Sequence, residues 1–593
     1  MPLTYHTVTF LPENKRIRVE HLKTIFETIG EKNPEGIQLF FSCGAEGICQ
    51  KCKVRSLQRM GPLTATEKGC LSHEELSRGI RLACQARVVQ DTQVEIQYKR
   101  PFTIAFVDEP IDCHGRARLQ KIVAVSGDDG RPPDAHAIIE AALKAGLSMS
   151  AKALEEQRAD CVLQHVGVQG PLWTAVFLDG SLIGLEPGDT TGALYAVAVD
   201  LGTNTLEVSL VDVAKACKIG VVTDSNPQIE LGDTYEARLG MAEEDELNLD
   251  ILNEEIVLRV DVLMHELCAA CGVSADLVYE ILVAGSTGML HLFLMRAPVQ
   301  SEQAAGLPGW LSASQLNIHS TERAGIMFLP VIGPFAGANI TAALLAARLH
   351  HGKETSLLLD LGGSAKAVLY HRGRLFVSVV DHTAVLEGSG LYCGMRPETG
   401  AVCSAHLTGA GDLAVGVVGE SLARGVCGSG LLELVACLRE AGMIDEAGRF
   451  TCGPDSRSGA LRNRLRTIGD EPAIVLFSDS GEFVTDVYVT GRDISKLFEV
   501  KGRVATMLER LCERAGVSFE DISRVLVSGA LGGQLSGHVL GTLGFIPLVL
   551  ADRAMFIGNA SKLGLQLALL DKAVADEAEE LARRVVSVPF APD

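Results

Sequence analysis

Basic side chains are scarce in this sequence. Lysine and arginine number 53 against 74 aspartates and glutamates, a formal net charge of −21. Binding nucleic-acid phosphates or an anionic membrane surface requires clustered cations, and no long basic run is present, which argues against both partners. Long apolar runs are missing too, since no stretch approaches the roughly 18 uninterrupted residues of a membrane span. Residues 1–20 lack the charged start and apolar centre of a secretory signal, so the expected compartment is the cytoplasm. A disulfide framework is the third absence. The 16 cysteines are spread along the chain, and in a reducing compartment they are expected to be thiols or metal ligands. Most, such as Cys161, Cys217, Cys437 and Cys512, stand alone in apolar surroundings and read as small buried hydrophobes. What is present, 47% hydrophobic and 21% charged residues over 593 positions, fits a packed globular chain of three or four domains.

One group of cysteines breaks the scattered pattern. Thr7–Phe10 and Arg16–Val19 read as a hairpin, and Leu22, Ile25, Phe26 and Ile29 recur at helical spacing up to a stop at Gly30. Then come Cys43, Cys49 and Cys52 in a loop containing Gly44 and Gly47, with Cys84 opening a later strand. The gaps are five, two and thirty-one residues. Two irons need four thiolates, and a glycine loop both supplies three of them and brings backbone N–H groups close to the inorganic sulfides. A zinc knuckle would show two close pairs instead. The pattern resembles a plant-type 2Fe-2S ferredoxin with one residue inserted in the first gap. Cys70 is the competitor for fourth ligand, in a stretch, Thr66–Leu76, that reads as helical or irregular surface.

The first domain is therefore expected over residues 1–98, followed by a linker over 99–118 without clear periodicity. A small α/β middle domain is expected over 119–192. It has a strand at Ile122–Val125, helices near Asp134–Ala145 and Ala151–Arg158, and a hairpin turning at Asp179-Gly180. No catalytic pattern occurs in it, so it reads as a spacer or docking domain.

Residues 193–593 carry an internal repeat, with halves of about 193–350 and 351–593. An apolar strand, Ala193–Val199, runs into Asp200-Leu201-Gly202-Thr203-Asn204-Thr205, and a second strand returns at once. Thr355–Leu359 runs likewise into Asp360-Leu361-Gly362-Gly363-Ser364. A strand-glycine-helix element recurs as Ile281–Gly288 and Val525–Gly532. This is the layout of a duplicated α/β fold with a cleft between halves, and it resembles the acetate kinase, sugar kinase, Hsp70 and actin superfamily. That resemblance implies an ATP site with Mg2+. Asp200, Gly202, Thr203 and Asn204 fit the first phosphate motif, and Asp360, Gly362, Gly363 and Ser364 fit the second. Gly529, Gly532 and Gly533 fit the adenosine turn, with the aspartates holding water around Mg2+. Gly428, in Cys427-Gly428-Ser429-Gly430 before a helical stretch, reads equally as an anion-binding helix start or a tight turn. Cys268 and Cys271 have redox spacing but lie in an apolar helix and read as core, His265-Glu266 lacks a second ligand, and Glu243–Glu246 reads as a solvated helix start.

Joined in this order, the segments resemble the reductive activators of corrinoid proteins, including the activating enzymes of anaerobic O-demethylase systems. Further matching segments are Asn226-Pro227-Gln228, Met289–Phe293, Gly425–Gly430, Gly544–Pro547 and Ile557–Ala560. The resemblance implies ATP-dependent one-electron reduction of Co(II) to Co(I) on the corrinoid protein of a methyltransferase system, with an external low-potential donor; a homodimer stays open. Co(I) is a stronger reductant than a cluster near about −400 mV, and each ~59 mV uphill costs about 1.4 kcal/mol for one electron. One segment departs from the family. The second hairpin usually reads Asp-Ile-Gly-Thr-Asn-Gly-Glu; here Gly363 removes a hydroxyl and Lys366 reverses a charge. Ser286, where relatives tend to have Asn, is a milder change. Alternative expectations are a nucleotide-responsive electron-transfer or docking protein without hydrolysis, and an activator of another low-potential enzyme.

Overall fold

The computed structural model describes residues 4–11, 15–29, 52–71, 73–96, 103–111, 113, 115–126, 131–147, 170–232, 235–296, 307–321, 323–408, 411–420, 422–451, 459–477, 486–529 and 535–590. Cys43, Cys49, Gly44, Gly47, the Gly30 stop, the helix expected near Ala151–Arg158, Cys161, Gly532 and Gly533 lie outside the described residues. The chain divides into two compact units, Met1–Phe102 and Thr103–Asp593.

In the first unit β1 (Tyr5–Leu11), β2 (Lys15–Glu20), β3 (Lys53–Ser56), β4 (Ile80–Leu82) and β5 (Thr92–Ile96) form one sheet in the order β2-β1-β5-β3-β4. Val8, Phe10, Val19, Val54 and Val94 are buried in its core, and Ile25 closes the core from a short helix. That helix begins at Ile25, later than the periodicity suggests. Leu22 sits at φ 70 with its side chain exposed, and Thr24 starts the helix reciprocally: its N–H donates to Glu27 Oε2 at 2.7 Å while Glu27 N–H donates to Thr24 Oγ1 at 3.2 Å. A second capping box, Thr64 with Glu67, extends into the core. Both Glu67 oxygens also accept from Arg81, at 2.8 and 2.9 Å, with both side chains buried. This pair fastens the strand that leads to Cys84.

The second unit opens with β6 (Thr103–Pro110), inside the stretch expected to be a linker. It pairs antiparallel with a strand more than a hundred residues downstream and covers an otherwise open edge, a long-range event that local periodicity does not reveal. β7 (Leu119–Val125), β8 (Leu172–Leu178) and β9 (Ser181–Pro187) make a small antiparallel sheet. Trp173, Phe177 and Leu185 pack there against Ile138 of the helix Ala135–Lys144, which Asp134 caps. The β8–β9 turn has Asp179 at φ 50 and Gly180 at φ 80, as a two-residue hairpin requires.

The two halves that follow repeat one another in the core of their main sheets. β10 (Tyr195–Leu201), β11 (Thr205–Asp212), β12 (Cys217–Ser225), β13 (Val278–Gly285), β14 (Leu311–Ser312) and β15 (Gly325–Phe328) join β6 in the order β14-β15-β13-β10-β11-β12-β6. β16 (Ser356–Leu361), β17 (Ala365–His371) and β18 (Arg374–Val380) are followed by two three-stranded accessory sheets. These are β19 (Ala401–Leu407), β20 (Leu413–Val417) and β21 (Gly425–Val426), then β22 (Leu465–Ile468), β23 (Glu471–Phe477) and β24 (Val487–Thr490). β25 (Arg524–Gly529), β26 (Ala554–Phe556) and β27 (Val585–Ser587) complete the second main sheet, ordered β26-β25-β16-β17-β18-β27. The core β13-β10-β11-β12 is thus matched by β25-β16-β17-β18, and the match holds in register: Leu201 lies beside Gly285 as Leu361 lies beside Gly529.

The last part of the chain bridges the halves. The helix Ala560–Leu570 packs on the helix Gly333–Ala347 and on β10. At the crossing, a Cβ on Gly564 would lie 1.8 Å from the Ala342 carbonyl oxygen, so only glycine allows this approach. Cys268 and Cys271 end the helix Glu246–Ala270, and burial raises both thiols, Cys268 to about 12, as befits packing rather than redox chemistry. Cys437 and Cys512 are raised to about 11 for the same reason.

Candidate functional site

Two of the four candidate cluster cysteines are described, and the fold brings them together from 32 positions apart. Cys52 precedes β3 and Cys84 sits in the turn after β4; their Sγ atoms are 3.2 Å apart and both residues are buried. The turn is held by Ala83 N–H donating to Cys52 O at 2.9 Å. The neighbouring Cys84 thiol lowers the Cys52 thiol below its ordinary range, against the opposing effect of burial. A buried, facing thiol pair with one member biased toward thiolate suits a pair of metal ligands. Cys70 closes the short helix Ala65–Cys70.

The second candidate site lies where the β10–β11 and β16–β17 turns meet. Gly202 N–H donates to Thr205 O at 2.9 Å, and a Cβ on Gly202 would come within 2.4 Å of that oxygen. Asn226 supports the first turn from β12, its Nδ2 donating to Gly202 O at 3.0 Å. In the second turn Thr383 Oγ1 donates to Gly362 O at 2.6 Å. Glu387 ties the turns together: one carboxylate oxygen accepts from Gly363 N–H and the other from Asn204 Nδ2, each at 2.8 Å. Arg396 donates to Asn204 O from the same side. Thr203 and Ser364 lie in these turns, half-buried.

The two aspartates lie close enough that the charge of Asp360 acts on Asp200. Asp200 accepts from Asn559 Nδ2 at 3.0 Å and from Ser561 Oγ at 3.1 Å, both at the start of the bridging helix. Burial raises its carboxyl to about 6; the Asn559 and Ser561 hydrogen bonds oppose the rise, while the nearby charges of Glu207 and Asp360 add to it. The cross-strand partner of Asp200 is Glu207, which pairs with Lys562 at 2.8 Å. The cross-strand partner of Asp360 is Lys366. The Lys366 side chain is buried and forms no ion pair or hydrogen bond with the described residues. Paired carboxylates, backbone N–H donors and an unpaired buried cation make a donor set that fits a magnesium ion and phosphate oxygens.

The glycines sort differently. A Cβ on Gly529, at φ 122, would lie 2.0 Å from Leu361 O, so it is required for the strand to pass the hairpin. A Cβ on Gly428 would lie 1.7 Å from Leu386 O, which places this helix start tightly behind the Glu387 segment. Glu387, Arg396, Thr383, Asn559 and Ser561 carry no local motif of their own. Their only advance signal was the stretch Ile557–Ala560, which includes Asn559.

Comparison with known proteins bears on these sites. The model of the 2Fe-2S iron-sulfur cluster binding domain matches residues 9–89, that of the RACo middle region 195–352, and that of the C-terminal ASKHA domain of RACo 354–593. Similar curated proteins include the corrinoid activation enzyme RamQ of Eubacterium limosum, 26% identical over 68% of this chain and 68% of the relative. Another is the [Co(II) methylated amine-specific corrinoid protein] reductase of Methanosarcina barkeri, 19% identical over 66% of this chain and 73% of the relative. Among solved structures, a reductive activator for corrinoid, iron-sulfur protein matches with a TM-score of 0.72, covering 99% of this chain and 96% of that one at 24% identity. That likeness shows the fold, and the family models give its parts: a 2Fe-2S iron-sulfur domain, a middle region and a C-terminal ASKHA domain. With two consecutive RACo models spanning nearly everything beyond residue 195, the chain belongs to the RACo family.

Proposed function

We propose that this protein reductively activates a corrinoid protein, passing one electron from a 2Fe-2S cluster to Co(II) to give Co(I), with a magnesium nucleotide bound between the matching hairpins. An external low-potential donor reloads the cluster, so each cycle moves one electron in and one out. The proposal rests above all on one observation: Asp200 and Asp360 belong to equivalent hairpins and lie within electrostatic reach of each other, and Glu387 links Asn204 of one turn to Gly363 of the other. The names of the similar proteins support the choice of substrate.

In this reading Cys43, Cys49, Cys52 and Cys84 hold the cluster. The Cys52 and Cys84 sulfurs, 3.2 Å apart, would supply two of the four thiolates the cluster needs. The cluster supplies one-electron chemistry; the chain supplies the thiolates, the buried setting and the Glu67–Arg81 brace. In the cleft, Asp200 and Asp360 hold magnesium and its water. Asn204, Thr203, Gly362, Gly363 and Ser364 offer phosphate donors, Gly202 lets the first turn close beneath them, and Gly529, Gly532 and Gly533 shape the nucleoside side. Glu387 occupies donors that phosphate oxygens would use, so binding must exchange one anion for another.

The test is anaerobic. The pre-reduced protein is mixed with a Co(II) corrinoid protein with and without Mg-ATP, and the Co(I) absorption is followed. ATP-dependent growth of Co(I) is expected; no Co(I) in either condition would overturn the reading. A second reading, nucleotide-responsive electron transfer without hydrolysis, draws on Gly363 and Lys366 in the second hairpin. It predicts Co(I) formation with ATP but no phosphate release.

A further inference from the structure

Away from the cleft, three metal-ligating side chains converge on one point. His350 and His351 lie in a single 3-10 turn, Leu349–His351, between the two halves; Glu577 lies on the helix Lys572–Arg584. His350 Nε2 is 2.7 Å and His351 Nε2 2.8 Å from the same oxygen, Glu577 Oε1. Consecutive residues ordinarily point apart. Here the rings meet edge to face with centroids 4.3 Å apart, because Arg348 turns the backbone at φ 48, ψ 37 just before them. The turn is fixed by Gly352 N–H donating to Leu349 O at 3.1 Å, and the helix is fixed by buried Ala575, Ala578 and Leu581.

We propose that His350, His351 and Glu577 form a divalent transition-metal site, of the class that takes Zn2+, joining the helix Lys572–Arg584 to the crossover between the halves. All three ligand atoms lie within 4.8 Å of one another. Metal–ligand bonds of about 2.0–2.1 Å set neighbouring ligand atoms roughly 3.3 Å apart in a tetrahedron, so each histidine nitrogen draws back from Glu577 Oε1 by about half an ångström to admit the ion. Two imidazoles and a carboxylate match zinc's ligand preference, and the fourth position falls to water. Entry comes from the solvent side, where His351 is 51% exposed; His350, 5% exposed, forms the floor. When Nε2 binds metal, the ring proton sits on Nδ1, and His350 Nδ1 is buried with no acceptor among the described residues. The site is therefore weaker than a closed four-ligand site and exchanges its ion.

The cluster-loaded full-length protein is equilibrated with ZnSO4, desalted and analysed for zinc, beside His351→Ala and Glu577→Gln. The wild type should hold one zinc per chain more than either variant, and zinc should raise its unfolding midpoint while leaving the variants unmoved. A measurement without mutation stands beside this: zinc should protect His351 from diethylpyrocarbonate, read by mass spectrometry. Equal zinc in wild type and variants, or modification of His351 indifferent to zinc, would show a hydrogen-bonded tie only and overturn the site.

Discussion

At the scale of single residues, charge in the cleft decides what binds. With its carboxyl raised to about 6 by burial, Asp200 is largely ionised at pH 7.5 and gains a proton as the pH falls through 6. Its protonated form is the one the fold favours, so Asp200 contributes stability at low pH that is lost as the pH rises through about 6. Magnesium wants the opposite form. Affinity for the magnesium nucleotide should therefore fall as titrations move from pH 8 to pH 5, with Asp200→Asn both weak in binding and flat across that range. A wild-type affinity independent of pH would remove Asp200 from the metal site. Lys366 supplies the complementary test. Where the first hairpin places Glu207, paired to Lys562, the second places a buried lysine with no ion-pair partner among the described residues. A charge-assisted contact to phosphate contributes about 1.5–3 kcal/mol, so Lys366→Met should weaken nucleotide binding roughly 10- to 100-fold by calorimetry. Unchanged affinity would leave Lys366 a structural oddity.

At the scale of elements, the buried Glu67–Arg81 pair braces the strand that delivers Cys84. Removing one partner of a buried ion pair strands the other, a loss of about 3–5 kcal/mol. Arg81→Ala should thus speed cluster loss, followed by bleaching of the visible spectrum, while leaving the unfolding of residues 103–593 unmoved; bleaching at the wild-type rate would mean the brace is not needed. What could be read from sequence follows the range of each interaction. The hairpins, the Asp179-Gly180 turn and the helix that Asp134 caps are local, and their signals sit within a few residues. Glu387 meets Asn204 from 183 positions away and Asn559 meets Asp200 from 359, so nothing near either residue marks the encounter. In the sequence β6 resembles a linker for the same reason, its partner strand lying beyond residue 216. Gly428 is legible as a special glycine but ambiguous in purpose, because a backbone close to a phosphate and a backbone close to a carbonyl demand the same missing side chain; Gly529, read as part of the adenosine turn, has a carbonyl neighbour of the same kind.

At the scale of the whole molecule, the division at residue 102 places the candidate electron site and the candidate nucleotide site in different compact units. Each unit has its own core, so lesions in one should leave the other folded, and function can be dissected accordingly. Cys84→Ser should abolish the visible cluster spectrum and Co(II) reduction, yet bind nucleotide as the wild type does. Asp200→Asn should retain the cluster spectrum and accept an electron from dithionite, yet fail to drive Co(I) formation when ATP is added. Mixing the two variants tests whether the steps must occur on one chain. If one chain must do both, the mixture stays inactive; if reduced cluster and bound nucleotide act from separate molecules, activity returns. A Cys84→Ser protein that still reduced Co(II) would show that the electron does not pass through this cluster, whatever the nucleotide does.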